Sequence, residues 1–91
     1  MKLEDFADVI LKDMLIRRYA NQNNRWMAKF EGAEVKDTEH SSILAGTHGN
    51  GKTPEAAMND YLGQIRGKIL VFNAYGGEKR REYGVPQNLE L

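Results

Sequence analysis

The sequence predicts an α+β protein, a two-layer sandwich in which two helices cover one face of a four-stranded antiparallel sheet, in the order α-β-β-α-β-β. Three observations carry this expectation. Two stretches place apolar residues at helical spacing, four others show the alternation or the short apolar run of strands, and glycines and asparagines punctuate the joins. The chain has 91 residues, room for a single domain spanning 1–91, because halving it would leave neither part a core.

The first helix is expected over residues 3–19. Leu3, Phe6, Val9, Ile10, Met14 and the run from Ile16 to Tyr19 recur at intervals of three and four, which lines up one apolar stripe. Glu4 and Asp5 at the start, with Arg17 and Arg18 at the end, would complement the helix dipole. Asn21-Gln22-Asn23-Asn24 has no such period, and its side chains compete with helical backbone bonds, so it is the connecting turn.

Residues 25–31 read as a half-buried strand, with Trp26, Ala28 and Phe30 on one face and Lys29 and Glu31 on the other. That alternation makes Trp26 a core residue first and an exposed interaction anchor second. Past Gly32 the apolar positions shift parity to Ala33 and Val35, and a lone glycine is the usual place for a bulge that re-aims a strand. Residues 36–39 would then turn the chain into a second strand around Ser42, Ile43, Leu44 and Ala45.

The second helix has the clearest start. Thr53 supplies a hydroxyl cap, Pro54 fills the first helical position where its missing N–H costs nothing, and Glu55 follows. Ala57, Met58, Tyr61, Leu62 and Ile65 form its stripe, and Gly67 suits a left-handed stop. Ile69-Leu70-Val71-Phe72 is an apolar run expected at the centre of the sheet. Gly76-Gly77 fits a tight hairpin turn, residues 78–85 return as the last strand, and Pro86 with a polar tail ends the fold.

Composition excludes several classes. The chain is 41% hydrophobic and 29% charged with a mean hydropathy of -0.63, a globular balance, and no run approaches the roughly 20 apolar residues that span a bilayer. Acids in Met1-Lys2-Leu3-Glu4-Asp5 interrupt what a signal peptide needs, so a cytoplasmic location without a membrane partner is expected. Zero cysteines leave no disulfide scaffold, thiolate nucleophile or cysteine-rich zinc site. Thirteen basic and 13 acidic residues give a formal net charge of zero, so no global field steers the chain toward nucleic acid, and an acidic DNA mimic is equally excluded.

Gly46-Thr47-His48-Gly49-Asn50-Gly51-Lys52-Thr53 satisfies G-x-x-x-x-G-K-T, the pattern that wraps backbone N–H groups around a nucleotide. Against that task, a phosphate-binding enzyme needs a longer, mostly parallel sheet and an acid for magnesium at another strand end, where this chain has Phe72-Asn73. Pro54 also removes one N–H from the helix terminus. The competing task for Gly49, Gly51, Lys52 and Thr53 is a sharp bend before a capped helix, with phosphate binding the alternative.

His40 and His48 are the only histidines, and a metal would have to recruit Asp37 or Glu39 as well, so no metal ligand is assigned. Lys79, Arg80 and Arg81, flanked by Tyr75 and Tyr83 and joined by Arg25 and Lys68 if these lie near, form the candidate partner-binding hairpin. Strand alternation sends Arg80 to the face opposite Lys79 and Arg81, while Glu78 and Glu82 dilute the charge, so a solvated edge hairpin protected by its charges is the competing explanation. No Ser, His and acid spacing signals catalysis, and Glu31 and Glu34 are ordinary surface acids. The chain is expected to be no enzyme and to need no cofactor.

Residues 26–72, above all Gly49-Asn50-Gly51-Lys52-Thr53-Pro54-Glu55-Ala56-Ala57 and Gly67-Lys68-Ile69-Leu70-Val71, resemble small proteins of phages and integrated elements. More distantly, the same stretch is similar to the HicB-like antitoxin domain, in which strands lead through a glycine into a threonine-capped helix. The resemblance implies a non-enzymatic accessory protein that occupies a host macromolecule, a protein or a ribonucleoprotein, as inhibitors of bacterial defence such as anti-CRISPR proteins do. A nucleic-acid-binding regulator, of the antitoxin or double-stranded-RNA-module kind, is the alternative, and nucleotide binding by the glycine segment is the third.

Overall fold

A computed structural model describes residues 1–22, 24–75 and 79–91. Helix α1 covers only Leu3–Ile10, stopping where Leu11 takes a left-handed φ of 58° and its N–H bonds the Ala7 carbonyl. The stripe expected to continue to residue 19 instead becomes strand β1, Met14–Arg18, so Arg17 and Arg18 stand on a strand and not at a helix end. Its residues gain a five-residue antiparallel ladder with β2, Trp26–Phe30, and Met14 and Ile16 share the face of Phe30 and Ala28. Isolated helical turns are marginal in water, so the ladder prevails over a period that a strand with alternate apolar residues also satisfies. Asn21 and Asn24 bear φ angles of 61° and 59° in the hairpin turn, a conformation asparagine tolerates. Asn23 lies outside the described residues.

Gly32 takes a φ of 79° between β2 and β3, Ala33–Lys36. The expected re-aiming at this glycine goes further than a bulge, because β2 and β3 belong to different sheets. Strand β2 is central in a first sheet ordered β1-β2-β4, and β3 lies at one edge of a second ordered β3-β5-β6. Here β4 is Gly49–Gly51, β5 is Ile69–Phe72 and β6 is Arg81–Gly84. The expected single four-stranded sheet is thus replaced by two three-stranded antiparallel ones. No strand forms at residues 42–45; two backbone hydrogen bonds of 2.9 Å join Ala45 to Val35, and Ile43 is exposed. Strand β5 holds the centre of its sheet, as its uninterrupted apolar run predicts. The expected Gly76-Gly77 turn and Glu78 fall outside the described residues.

Helix α2, Pro54–Ile65, starts as expected, with the Ala56 N–H donating to the Thr53 hydroxyl at 3.0 Å. Gly67 has a left-handed φ of 73°. Inner faces of both sheets close with the two helices around one core, in which Phe6, Ile10, Phe30, Val35, Tyr61, Leu62, Ile65, Leu70, Phe72, Val85 and Leu89 are buried. The Phe30 ring meets Phe6 of α1 and Tyr61 of α2 edge-on, each at 6.1 Å between centroids; such pairs add about 0.5–1.5 kcal/mol beyond burial. Burial raises the Tyr61 hydroxyl above its ordinary pKa, the Phe30 backbone offsetting part of that, and its Oη has no well-formed hydrogen bond among the described residues.

Trp26 departs from the expected core role: it is half-buried at the end of the first sheet and outside the core cluster, unlike Ala28 and Phe30. The C-terminal tail also does more than end the fold. Leu89 is buried, its carbonyl accepts from Arg66 Nε at 2.7 Å, and Glu90 bonds the backbone of Met1 and Leu3. Among the described residues no helix is long and apolar enough to cross a membrane.

Candidate binding faces

Gly49–Gly51 is extended strand, so the bend anticipated for the glycine segment is confined to Lys52 and Thr53, immediately before the helix. A Cβ on Gly49 would lie 2.0 Å from the Ala57 carbonyl oxygen and 2.5 Å from the Tyr61 nitrogen; one on Gly51 would lie 2.5 Å from the Ala57 nitrogen. Neither glycine has a positive φ. They are required for close approach of α2 to β4, the third use of glycine after turns and bulges. Side chains of α2 pin the strand further: Asp60 Oδ2 accepts from the Asn50 N–H at 2.8 Å, Gln64 Nε2 donates to the His48 carbonyl at 2.9 Å, and Thr47 Oγ1 donates to Gln64 Oε1. A carboxylate thus occupies the backbone donor that a phosphate would seek, and the Thr53 hydroxyl is engaged in the helix cap. Lys52 is exposed and lines a shallow depression with Asn24, Arg25, Asn50 and Gly51.

The hairpin cations of the second sheet split as strand alternation requires. Arg80 Nε donates to Glu82 Oε2 at 2.9 Å, while Arg81 lies 5.9 Å from the Tyr83 ring centroid on the other face. Glu82 also accepts Lys36 Nζ at 2.6 Å, and Lys36, only 5% exposed, donates to the Glu39 carbonyl at 2.9 Å as well. The Lys36 hydrogen bond, with Arg80 adding to it, holds the Glu82 carboxyl below its ordinary value against a smaller effect of burial. Lys79, Arg80, Arg81 and Tyr83 line one open depression with Asn73 and Glu82; Tyr75, 83% exposed, is not part of it. Nor do the other expected members join, because Lys68 pairs with Asp37 at 3.4 Å and Arg25 lies on the first sheet.

The outer face of that first sheet, turned away from α2, takes only alternate residues of each segment, so that of the adjacent pair Arg17-Arg18 only Arg17 belongs to it. Ala28 is buried and Gly49 abuts α2, so their neighbours Met27, Lys29 and Asn50 project to the opposite side, where the register also places Leu15 and Arg17. Tyr19 follows β1, its N–H donating to the Arg25 carbonyl at 3.0 Å. Its hydroxyl reaches β4, donating to Asn50 Oδ1 at 3.2 Å and lying 3.2 Å from His48 Nε2. Since β2 separates β1 from β4, the phenol lies across the sheet, and the Arg25 guanidinium stands 5.9 Å from its centroid.

Charge is sorted accordingly. Residues 14–30 and 46–53 carry Arg17, Arg18, Arg25, Lys29 and Lys52 and no acid, and none of these five takes part in an ion pair among the described residues. Asp13 and Glu31 flank only the far end of the β1–β2 ladder, and Asp60 is bound to Asn50. A net charge of zero is therefore compatible with a local excess of cations in these two segments. The signal lies in the sequence as a gap in the acids, which a reading centred on adjacent basic residues passes over.

His40 is exposed beside Glu39 at 3.5 Å. Among the described residues no three His, Cys, Asp or Glu side chains form a group that could hold a metal. No protein-family model matches the chain, and no curated protein and no solved structure matches it either.

Proposed function

We propose that the chain is a non-enzymatic binding protein that docks the phosphate backbone of a nucleic acid on the outer face of the first sheet. The observation that supports this reading is the acid-free stretch that puts Arg17 and Lys29 as diagonal neighbours on that face and Arg25 and Lys52 at its rim, while Arg18, opposite Trp26, projects to the other side. Cations left without internal partners are the ones that gain by neutralising phosphates and releasing counterions. Fluorescence anisotropy with labelled DNA and RNA across a salt series tests it. Affinity should fall steeply with salt, and Arg17→Ala with Lys29→Ala should weaken binding while changing stability by no more than the usual surface range of about 0.5 kcal/mol per substitution. A flat salt titration, or no binding at low salt, removes the reading.

A protein partner docked on the β5–β6 hairpin is the second reading, favoured by the Arg81–Tyr83 stack beside the open depression and in keeping with the accessory role that the phage-type resemblance implies. It predicts a protein complex that persists at moderate salt and is lost with Arg81→Ala and Tyr83→Ala. Nothing retained by wild type at moderate salt would remove it.

A further inference from the structure

We infer that the strand bound on the first sheet is single, and that the Tyr19–Arg25 pair is a stacking position for one unpaired base, with Lys52 on the neighbouring phosphate; this rests on the nucleic-acid reading above. Three features of the site point the same way.

The first is the lie of the Tyr19 ring. Its backbone belongs to the β1 side and its hydroxyl is held by His48 and Asn50 on the β4 side, so the ring spans β2 and does not stand upright from the face. The hydroxyl can donate to Asn50 Oδ1 and accept from a protonated His48 Nε2, using both its capacities. A phenol already pinned at its far end loses little freedom when something stacks on it. The second feature is Arg25, whose guanidinium sits 5.9 Å from that ring and is itself exposed. Guanidinium planes and aromatic rings both accept nucleobases face to face.

The third is the depression beside this pair, about 550 Å³ and lined by Asn24, Arg25, Asn50, Gly51 and Lys52, a volume within the range of small-ligand sites. It places two cations and two side-chain amides next to the stack, the chemistry that would take a phosphodiester and the edge of a base. In a duplex, base faces are buried in the stack and only edges and backbone are offered; a site that presents a face therefore selects an unpaired strand. Trp26 cannot share the task, because it pairs with Arg18 and Gly51 on the side facing the helix.

The test compares four labelled ligands of equal length under one low-salt condition: oligothymidylate, oligouridylate, an abasic deoxyribose-phosphate strand and a duplex. Either base-bearing strand should bind at least about fivefold tighter than the abasic strand, the lower end of what one base–aromatic stack contributes. Tyr19→Ala should erase that difference while keeping salt-dependent binding of the abasic strand, and Tyr19→Phe should retain most of it; far-UV circular dichroism checks that both variants fold. Equal binding of base-bearing and abasic strands by wild type, or a duplex that binds tighter than both single strands, overturns the inference and leaves the nucleic-acid reading standing. Absence of binding to all four overturns both.

Discussion

The two sheets treat positive charge in opposite ways. In and around the second, Lys36 and Arg80 converge on Glu82 and Lys68 meets Asp37, so cations there hold strands and loops together. In the first, Arg17, Arg18, Arg25, Lys29 and Lys52 form no ion pair among the described residues, and its cohesion comes from elsewhere: a backbone ladder, glycines that admit a helix, and hydrogen bonds from α2. Density of basic letters in the sequence is therefore a poor guide to available charge. In the Lys79-Arg80-Arg81 run Arg80 is compensated by Glu82, whereas the five cations of residues 14–30 and 46–53 have no acid among them.

This contrast can be broken first at the helix–strand contact that supports the first sheet. Gly49→Ala puts a methyl 2.0 Å from a backbone oxygen, where neither helix nor strand can yield cheaply. Its destabilisation should exceed the roughly 1–3 kcal/mol of ordinary overpacking, or folding should fail. Gly46→Ala has open space around the added methyl and should stay within about 0.5 kcal/mol in the same thermal melt.

The next effect is smaller and sharpens the same point. Thr53→Ala removes the hydroxyl that caps α2 and should cost about 1 kcal/mol of stability, measured by urea denaturation. Were this threonine held in reserve for a magnesium–nucleotide complex, the substitution would abolish nucleotide binding and barely alter stability. Calorimetry with ATP and magnesium separates the two, with no heat of binding expected.

The second sheet has its own signature in acid. Glu82 has a carboxyl held below its ordinary value of 4.5 by Lys36 and Arg80. A lowered folded-state pKa adds stability that is present above 4.5 and is lost as pH falls below it toward the folded value. Glu82→Gln should therefore lower the melting temperature at neutral pH, and the gap to wild type should close on acidification below that value. A gap that does not change with pH would mean the Lys36–Glu82 pair contributes nothing.

Much of this architecture was legible where local chemistry acts alone. Thr53, Pro54 and Gly67 declared the second helix through a cap, a fixed φ and a left-handed stop, and the change of parity across Gly32 marked the point where the strand turns into the other sheet. The asparagine run likewise signalled a turn, though not that it joins two paired strands. What failed to show was set by partners distant in sequence. Met14 and Ile16 fit a helix stripe and a strand face equally, and only pairing with Ala28 and Phe30 decides between them. Gly49 and Gly51 look like a bend until α2 is seen lying against them. The binding face stayed hidden for a related reason: Arg17, Lys29 and Lys52 are far apart in the chain, and the telling feature is the absence of acids around them.

The most direct measurement is the slope of log binding constant against log salt for a labelled single strand, taken for wild type and two double variants. Replacing Arg17 and Lys29 with alanine should shrink the slope by about 1.4, some 0.7 for each phosphate that is no longer neutralised, whereas replacing Arg80 and Arg81 should leave it nearly unchanged. A shallower slope with the Arg80 and Arg81 pair, and an unchanged one with Arg17 and Lys29, would place binding on the second sheet and contradict the account.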